Sequence, residues 1–209
     1  MDRKMGFASF FLGFLAFACS SHLAYAQGID SGQHSRALIT QKIDESNRVP
    51  LSGNTRPEAW AGNDRGPVDD DFRMEHLLLQ LRRPAEQEQE LREFIDEQQR
   101  KGSPNFHRWI TAREFGEKFG LAEEDLEEIT RWLARHGFKV NVVYPSGMVI
   151  DFSGTAGEVR EAFQTEIHHL EVNGEKHIAN MGDPRIPAAL ASVVIGVVSD
   201  ELVTHGGLG

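Results

Sequence analysis

Cysteine is nearly absent: Cys19 is the single one in 209 residues. No disulfide can close within the chain, so a fold here rests on packing, caps and turns rather than on covalent cross-links. Positive charge is also short. Lys and Arg number 22 against 32 Asp and Glu, a formal charge of −10, whereas nucleic-acid binding calls for a basic face. No apolar run approaches the ~20 residues of a membrane-spanning helix. There is no glycine-rich phosphate loop, no Cys-x-x-Cys pair and no His-x-x-x-His spacing, so the short signatures of nucleotide, redox and zinc chemistry are missing. What remains is 40% hydrophobic and 26% charged, the composition of an ordinary globular protein.

The first residues have a different character. Arg3 and Lys4 form a basic start, and residues 6–18 are almost wholly apolar with five phenylalanines. Ala24-Tyr25-Ala26 then offers the small residues that signal peptidase reads. Residues 1–26 are read as a secretory signal peptide cleaved after Ala26. The mature chain is therefore expected to be secreted or periplasmic, with no membrane attachment after cleavage. Lipidation at Cys19 is the weaker alternative, because Ala16-Phe17-Ala18 is a poor lipidation box. Cleavage leaves no cysteine and a charge of −11, from 20 basic and 31 acidic side chains.

From residue 27 to about 70 the chain is polar and rich in Gly, Asn, Asp and Pro. It reads as an irregular arm with one short strand at 36–40, and Asp64-Arg65-Gly66-Pro67 reads as a turn. Residues 72–81 form a β-like run. Over 86–100, Leu91, Phe94, Ile95 and Gln98 recur at helical spacing. Thr111-Ala112-Arg113-Glu114 is a capping box that opens a short helix closed by Gly120. The acidic start Glu123-Glu124-Asp125 suits the positive end of a helix dipole, and this second helix stops at Gly137. Two alternating runs, 138–144 and 148–153, flank Pro145-Ser146-Gly147 as a hairpin. Thr155 to Glu158 repeats the capping box before a helix with Val159, Ala162 and Phe163 on one face. Residues 165–172 and 175–179 flank Asn173-Gly174, a strong hairpin turn. A helical turn over 187–193 and a strand over 194–198 finish the chain. The pattern predicts an α+β protein, ferredoxin-like, with an antiparallel sheet and helices on one face.

Chemistry is scarce. Ser153-Gly154-Thr155-Ala156 looks like the Gly-Thr-Ser motif of subtilisin-type proteases, but Ala156 stands where that serine belongs. A strand end followed by a capping box explains the same residues, and no base is placed to activate Ser153. No catalytic residue is therefore assigned. His168, His169 and His177 fall near the second hairpin. Neighbours on a strand face opposite ways, so His168 and His169 do not readily share a metal, and no metal or cofactor is expected. His168 and His177 are candidate pH sensors, because histidine titrates near neutrality. Phe106-His107-Arg108-Trp109 combines aromatics with bases after a helix break, so Phe106, His107 and Trp109 are candidate partner contacts.

The stretch Ser103-Pro104-Asn105-Phe106-His107-Arg108-Trp109-Ile110-Thr111, followed by Glu114-Phe115-Gly116 and Phe119-Gly120, resembles the N-terminal activation domain of the sedolisin/kumamolisin serine-carboxyl peptidases. Trp132-Leu133, Gly137-Phe138, Phe152-Ser153-Gly154-Thr155-Ala156, Ala162-Phe163, His177-Ile178-Ala179-Asn180 and Ile186-Pro187-Ala188-Ala189-Leu190 follow in the family's order. Upstream, Pro50-Leu51-Ser52-Gly53-Asn54-Thr55 and Asp64-Arg65-Gly66 also fit. The resemblance divides the chain into the signal peptide, an arm at 27–48, an activation domain at 49–198 and a tail at 199–209. It implies a ferredoxin-like prodomain that helps its peptidase fold, caps the active site and is removed by self-cleavage in acid. The implied partner is a sedolisin-type catalytic domain, in cis or in trans. None of that enzyme's catalytic set is matched, and the chain departs from the family at Ser199. A stand-alone inhibitor or folding helper is expected, with a truncated peptidase precursor as the alternative.

Overall fold

A computed structural model describes residues 35–199. The signal-peptide reading of 1–26, and the tail beyond Ser199, lie outside the described residues. In chain order the elements are β1 (Arg48–Pro50), β2 (Asp64–Pro67), β3 (Arg73–Leu81), α1 (Ala85–Gln99), α2 (Ala112–Phe119), α3 (Glu123–Arg135), β4 (Lys139–Val143), β5 (Val149–Thr155), α4 (Ala156–Phe163), β6 (Ile167–Val172), β7 (Glu175–Asn180), β8 (Arg185–Pro187) and β9 (Val194–Ser199). A 3₁₀ turn spans Ala188–Leu190, within the expected helical turn.

The main sheet runs β4-β5-β3-β9 with every neighbour antiparallel. Helical segments connect β3 to β4, a tight turn joins β4 to β5, and α4 follows β5. The first strand of this set thus lies between the third and the fourth, which is the ferredoxin-like arrangement within the α+β class. β6 and β7, inserted between α4 and β9, form a second sheet with β2, and β1 pairs with β8.

Local chemistry sets the boundaries. Both capping boxes form. Thr111 Oγ1 accepts from Glu114 N at 3.2 Å, and Thr155 Oγ1 accepts from Glu158 N at 3.2 Å. Each glutamate returns the bond to the threonine N–H. Losing such a cap costs about 1 kcal/mol. The Asn173-Gly174 turn has both residues at positive φ, 54° and 85°, the backbone that a two-residue hairpin requires.

Two expectations change. Residues 64–67 are a strand rather than a free turn, although the turn chemistry is present inside it. Asp64 Oδ1 accepts from Gly66 N at 2.8 Å, Gly66 has φ +96°, and the β2–β6 register slips between Asp64 and Pro67. The result is a bulged strand. Residues 36–40 form no strand. They are strapped to α3, where Leu38 N and Ile39 N both donate at 2.8 Å to the buried carboxylate of Asp125. Leu38, Ile39 and Ile43 rest on the main core.

That core lies between one face of the main sheet and helices α3 and α4. Leu77, Leu79 and Leu81 of β3 and Ile150 and Phe152 of β5 meet Ile129, Trp132 and Leu133 of α3 and Val159, Ala162 and Phe163 of α4. Helices α1 and α2 stand outside this cluster with an aromatic set of their own. Phe94, Phe119 and Phe115 pack in series at 5.5 and 5.6 Å, with the Lys118 ammonium over Phe94 and the Arg83 guanidinium over Phe115.

Candidate functional site

The second face of the main sheet is covered by none of the described helices. Residues directly opposite in an antiparallel pair share a face. Leu78 lies opposite Asp151 on one side and Val198 on the other, and Asp151 lies opposite Val142. Gln80 lies opposite Val149 and Gly196. Val142 is 41% exposed, and Leu78, Val149 and Val198 are half-buried. The face is therefore apolar at several positions and open to water.

A polar cluster sits among these side chains. The Asp151 carboxylate is buried although its strand faces outward. Its Oδ2 lies 2.9 Å from His76 Nδ1, and its Oδ1 accepts from Asn141 Nδ2 at 2.8 Å. The same amide reaches Ser153 Oγ at 2.7 Å. His76 adopts φ +55° at the bulge in β3. Ser153 is thus tied to Asn141, within a carboxylate network that holds β4 and β5 together. Sequence reading did not single out Asp151, His76 or Asn141. The available signal was an aspartate in the apolar run Val149-Ile150-Asp151-Phe152.

The second hairpin brings the candidate sensors together on one side. His168 pairs with Ala179 and His177 with Leu170, two positions along. His169 pairs with Ile178 on the other side, against the edge of Phe72. His168 is clamped, with Nδ1 2.8 Å from Asp64 Oδ1 and Nε2 3.3 Å from Glu166 Oε2. His177 Nε2 lies 3.8 Å from Glu175. Burial disfavours the charged ring of His168, but the Asp64 and Glu166 carboxylates outweigh it and raise the pKa above 6.5. The Gly66 N–H, followed by His168, holds Asp64 below 3.8.

The sign of the linkage follows from these directions. A raised histidine pKa gives stability that is complete below the unfolded value and fades as pH rises through the folded one. A lowered aspartate pKa gives stability present above its unfolded value and lost as pH falls through the folded one. The clamp therefore holds best between about pH 4 and about pH 6.5. We expect the melting temperature of His168→Gln to fall short of wild type most in that window and least above about pH 8. A deficit that grew towards alkaline pH would contradict the assignment.

The candidate partner contacts lie on the loop between α1 and α2. Phe106 is half-buried and His107 stacks on it, with ring centres 3.9 Å apart. Trp109 lies parallel to His107 at 6.5 Å and is 78% exposed. Among the described residues, no group of three His, Cys, Asp or Glu is arranged to hold a metal, and no helix is long and apolar enough to cross a membrane.

Comparison with known proteins places this geometry. The family described as "Pro-kumamolisin, activation domain" matches residues 62–201, a span that runs from the start of β2 past the end of β9. The chain is 26% identical to xanthomonalisin from a Xanthomonas species over 91% of its length, covering 24% of that protein. It is 27% identical to sedolisin from a Pseudomonas species over 62% of its length, covering 22% of that protein. It is also 27% identical to kumamolisin from a Bacillus species over 74% of its length, covering 27% of that protein. The chain spans about a quarter of the length of the curated relatives it matches.

Proposed function

Because this chain belongs to the pro-kumamolisin activation-domain family, found in precursors of sedolisin-type peptidases, we propose that it binds a sedolisin-type catalytic domain through the open face of the main sheet. On this reading it is not itself an enzyme. It inhibits the peptidase or assists its folding, near neutral pH, and lets go in acid. The observation that carries the reading is the family match across the whole ferredoxin-like unit, with one sheet face packed on helices and the other left apolar and open. Leu78, Val142, Val149 and Val198 supply the apolar contact. The Asp151 network keeps the strands that carry it in register.

Family membership leaves two forms of this function. As a separate protein, the chain acts in trans on a peptidase encoded elsewhere. As part of a precursor, it acts in cis. The chain matches about a quarter of each relative's length, and both forms are compatible with that match.

The test is inhibition of a mature sedolisin-type peptidase by the purified chain, followed from about pH 7 to about pH 4, where histidines gain and carboxylates begin to lose charge. Dose-dependent inhibition at the upper end, lost in Val142→Asp and relieved in acid, is the expected result. Absence of binding at every pH would end the assignment. A His168→Gln/His177→Gln double variant asks whether these histidines set the release. Unchanged acid release would remove them and leave the partner in place.

A further inference from the structure

The loop that follows α1, taken from Arg100 through the first turn of α2 at Arg113, stands out electrostatically. It holds four cations, Arg100, Lys101, Arg108 and Arg113, and no carboxylate, in a chain of net charge −10. Elsewhere among the described residues some arginines are paired and others, such as Arg82 and Arg185, reach only backbone carbonyls. Arg48, Arg65, Arg83, Arg92, Arg131 and Arg160 each have a carboxylate within ion-pair distance. Among the described residues, none of the four loop cations does. The nearest carboxylate on each side already has hydrogen-bond partners. Glu97 accepts from the Asn105 amide, and Glu114 is bonded to the Thr111 cap, whose backbone and hydroxyl, with a smaller contribution from the Arg108 charge, hold its pKa below the usual value.

The loop is also held in shape. The buried side chain of Gln98 donates to the Arg108 carbonyl, while His107 N donates to Gln98 O at 3.0 Å. Further turns close through Phe106 N to Ser103 O at 3.1 Å and Arg108 N to Asn105 O at 3.0 Å. His107 sits at φ +56°, a conformation that a non-glycine residue rarely adopts without surrounding support. The backbone thereby presents a Phe106–His107–Trp109 stack with the indole outermost. An exposed tryptophan on a hydrogen-bonded loop, with arginines close in sequence, has the composition of an interface hot spot. Its ordering cost is already met before a partner arrives.

We propose that this loop is a second partner-binding surface, with Trp109 as its anchor and its four cations opposite carboxylates on the sedolisin-type catalytic domain. The inference rests on the prodomain reading above and names a contact beyond the sheet face. A protein surface is favoured over a lipid surface because one indole, stacked on an imidazole, offers little apolar area to insert, whereas it fills a side-chain pocket well.

The test compares the affinity of a mature sedolisin-type peptidase for wild type, Trp109→Ala, an Arg108→Glu/Arg113→Glu double variant, and Val142→Asp. Exposure of Trp109 means that its variant should melt with the wild type, which is checked first. Trp109→Ala should bind about tenfold or more weakly. Wild-type affinity should fall between about 50 and about 500 mM salt, and the charge-reversed variant should bind weakly and show little salt dependence. If Trp109→Ala binds as wild type while Val142→Asp does not, the loop is no contact and the prodomain reading survives. If wild type does not bind, both fall. Trp109-dependent binding to phosphatidylglycerol vesicles, without an effect on the peptidase, would make the loop a lipid contact and overturn the proposal.

Discussion

Trp132→Ala is expected to remove about 3–5 kcal/mol of stability, a large share of the roughly 5–15 kcal/mol that holds a domain together. Trp132 is the largest fully buried side chain. Its ring meets Phe163 edge-on at 5.3 Å and His136 at 5.1 Å, so truncation opens a cavity between α3 and α4. The loss does not stop at volume. The indole N–H donates to Glu45 Oε1 at 2.9 Å, and the same oxygen lies 3.2 Å from His136 Nε2. The other carboxylate oxygen pairs with Arg48, whose guanidinium also donates to the Ala162 carbonyl at the end of α4. Glu45 is therefore a pin through which the irregular segment before β1 is fastened to two helices. Urea unfolding followed by far-UV circular dichroism, which does not depend on tryptophan emission, reads the total cost. Trp132→Phe separates the terms, because it keeps most of the ring and deletes the donor. We expect Phe to recover more than half the loss, yet to leave residues 35–48 more open to proteolysis than in wild type. A change in Trp132→Ala below about 1 kcal/mol, the range of an ordinary exposed substitution, would place this residue outside the core.

The parts of this fold that sequence reading recovered are those whose signals are short-range. The Thr111 and Thr155 caps, the Asn173-Gly174 turn and the apolar stripes of α3 and α4 each depend on residues within one or two turns of each other. Pairings across the chain were not legible. β1 and β8 are three residues each and meet Val49 to Ile186, and neither is long enough to show a period. The Asp125 strap joins residues 87 positions apart. From the sequence, Asp125 is one more acid at a helix start, and nothing local shows that the arm's Leu38 and Ile39 N–H groups meet it. Asp64-Arg65-Gly66-Pro67 reads as a turn yet forms a strand for a physical reason. The Asx-type bond and the left-handed glycine are real turn chemistry, and a bulged strand contains the same chemistry. At the candidate site, the aromatics of the 106–109 loop and the histidines of the second hairpin were visible as residue types. The open sheet face was not, because an alternating strand shows which residues share a face but not which face the helices cover.

A close approach between two backbones, likewise silent in the sequence, gives the second large effect. On helix propensity alone, Gly116→Ala should stabilise α2 by about 1 kcal/mol, since glycine is the poorer helix former. The structure reverses that sign. A Cβ on Gly116 would come within 2.0 Å of the Pro145 carbonyl oxygen and 3.1 Å of its carbon. Four residues on, a Cβ on Gly120 would meet the Ser146 carbonyl oxygen at 3.0 Å. Both glycines lie on the side of α2 that rests on the β4–β5 turn. The obstacle is main chain, so no rotamer change relieves it, and either α2 or the turn has to move. Overpacking that side chains can absorb costs about 1–3 kcal/mol. With backbone on both sides, the upper end of that range is expected for Gly116→Ala and a larger loss for Gly116→Val. The damage should concentrate in the α1–α2 unit, because Phe115 and Phe119 flank Gly116 and share their cluster with Phe94. Displacing α2 loosens that cluster and, through α1, the loop that carries Trp109. Thermal unfolding of Gly116→Ala beside Arg113→Ala, an exposed position in the same helix, is the measurement. A lower midpoint for the first with little change in the second supports the close packing, and a raised midpoint for Gly116→Ala would show that α2 and the turn are not pressed together.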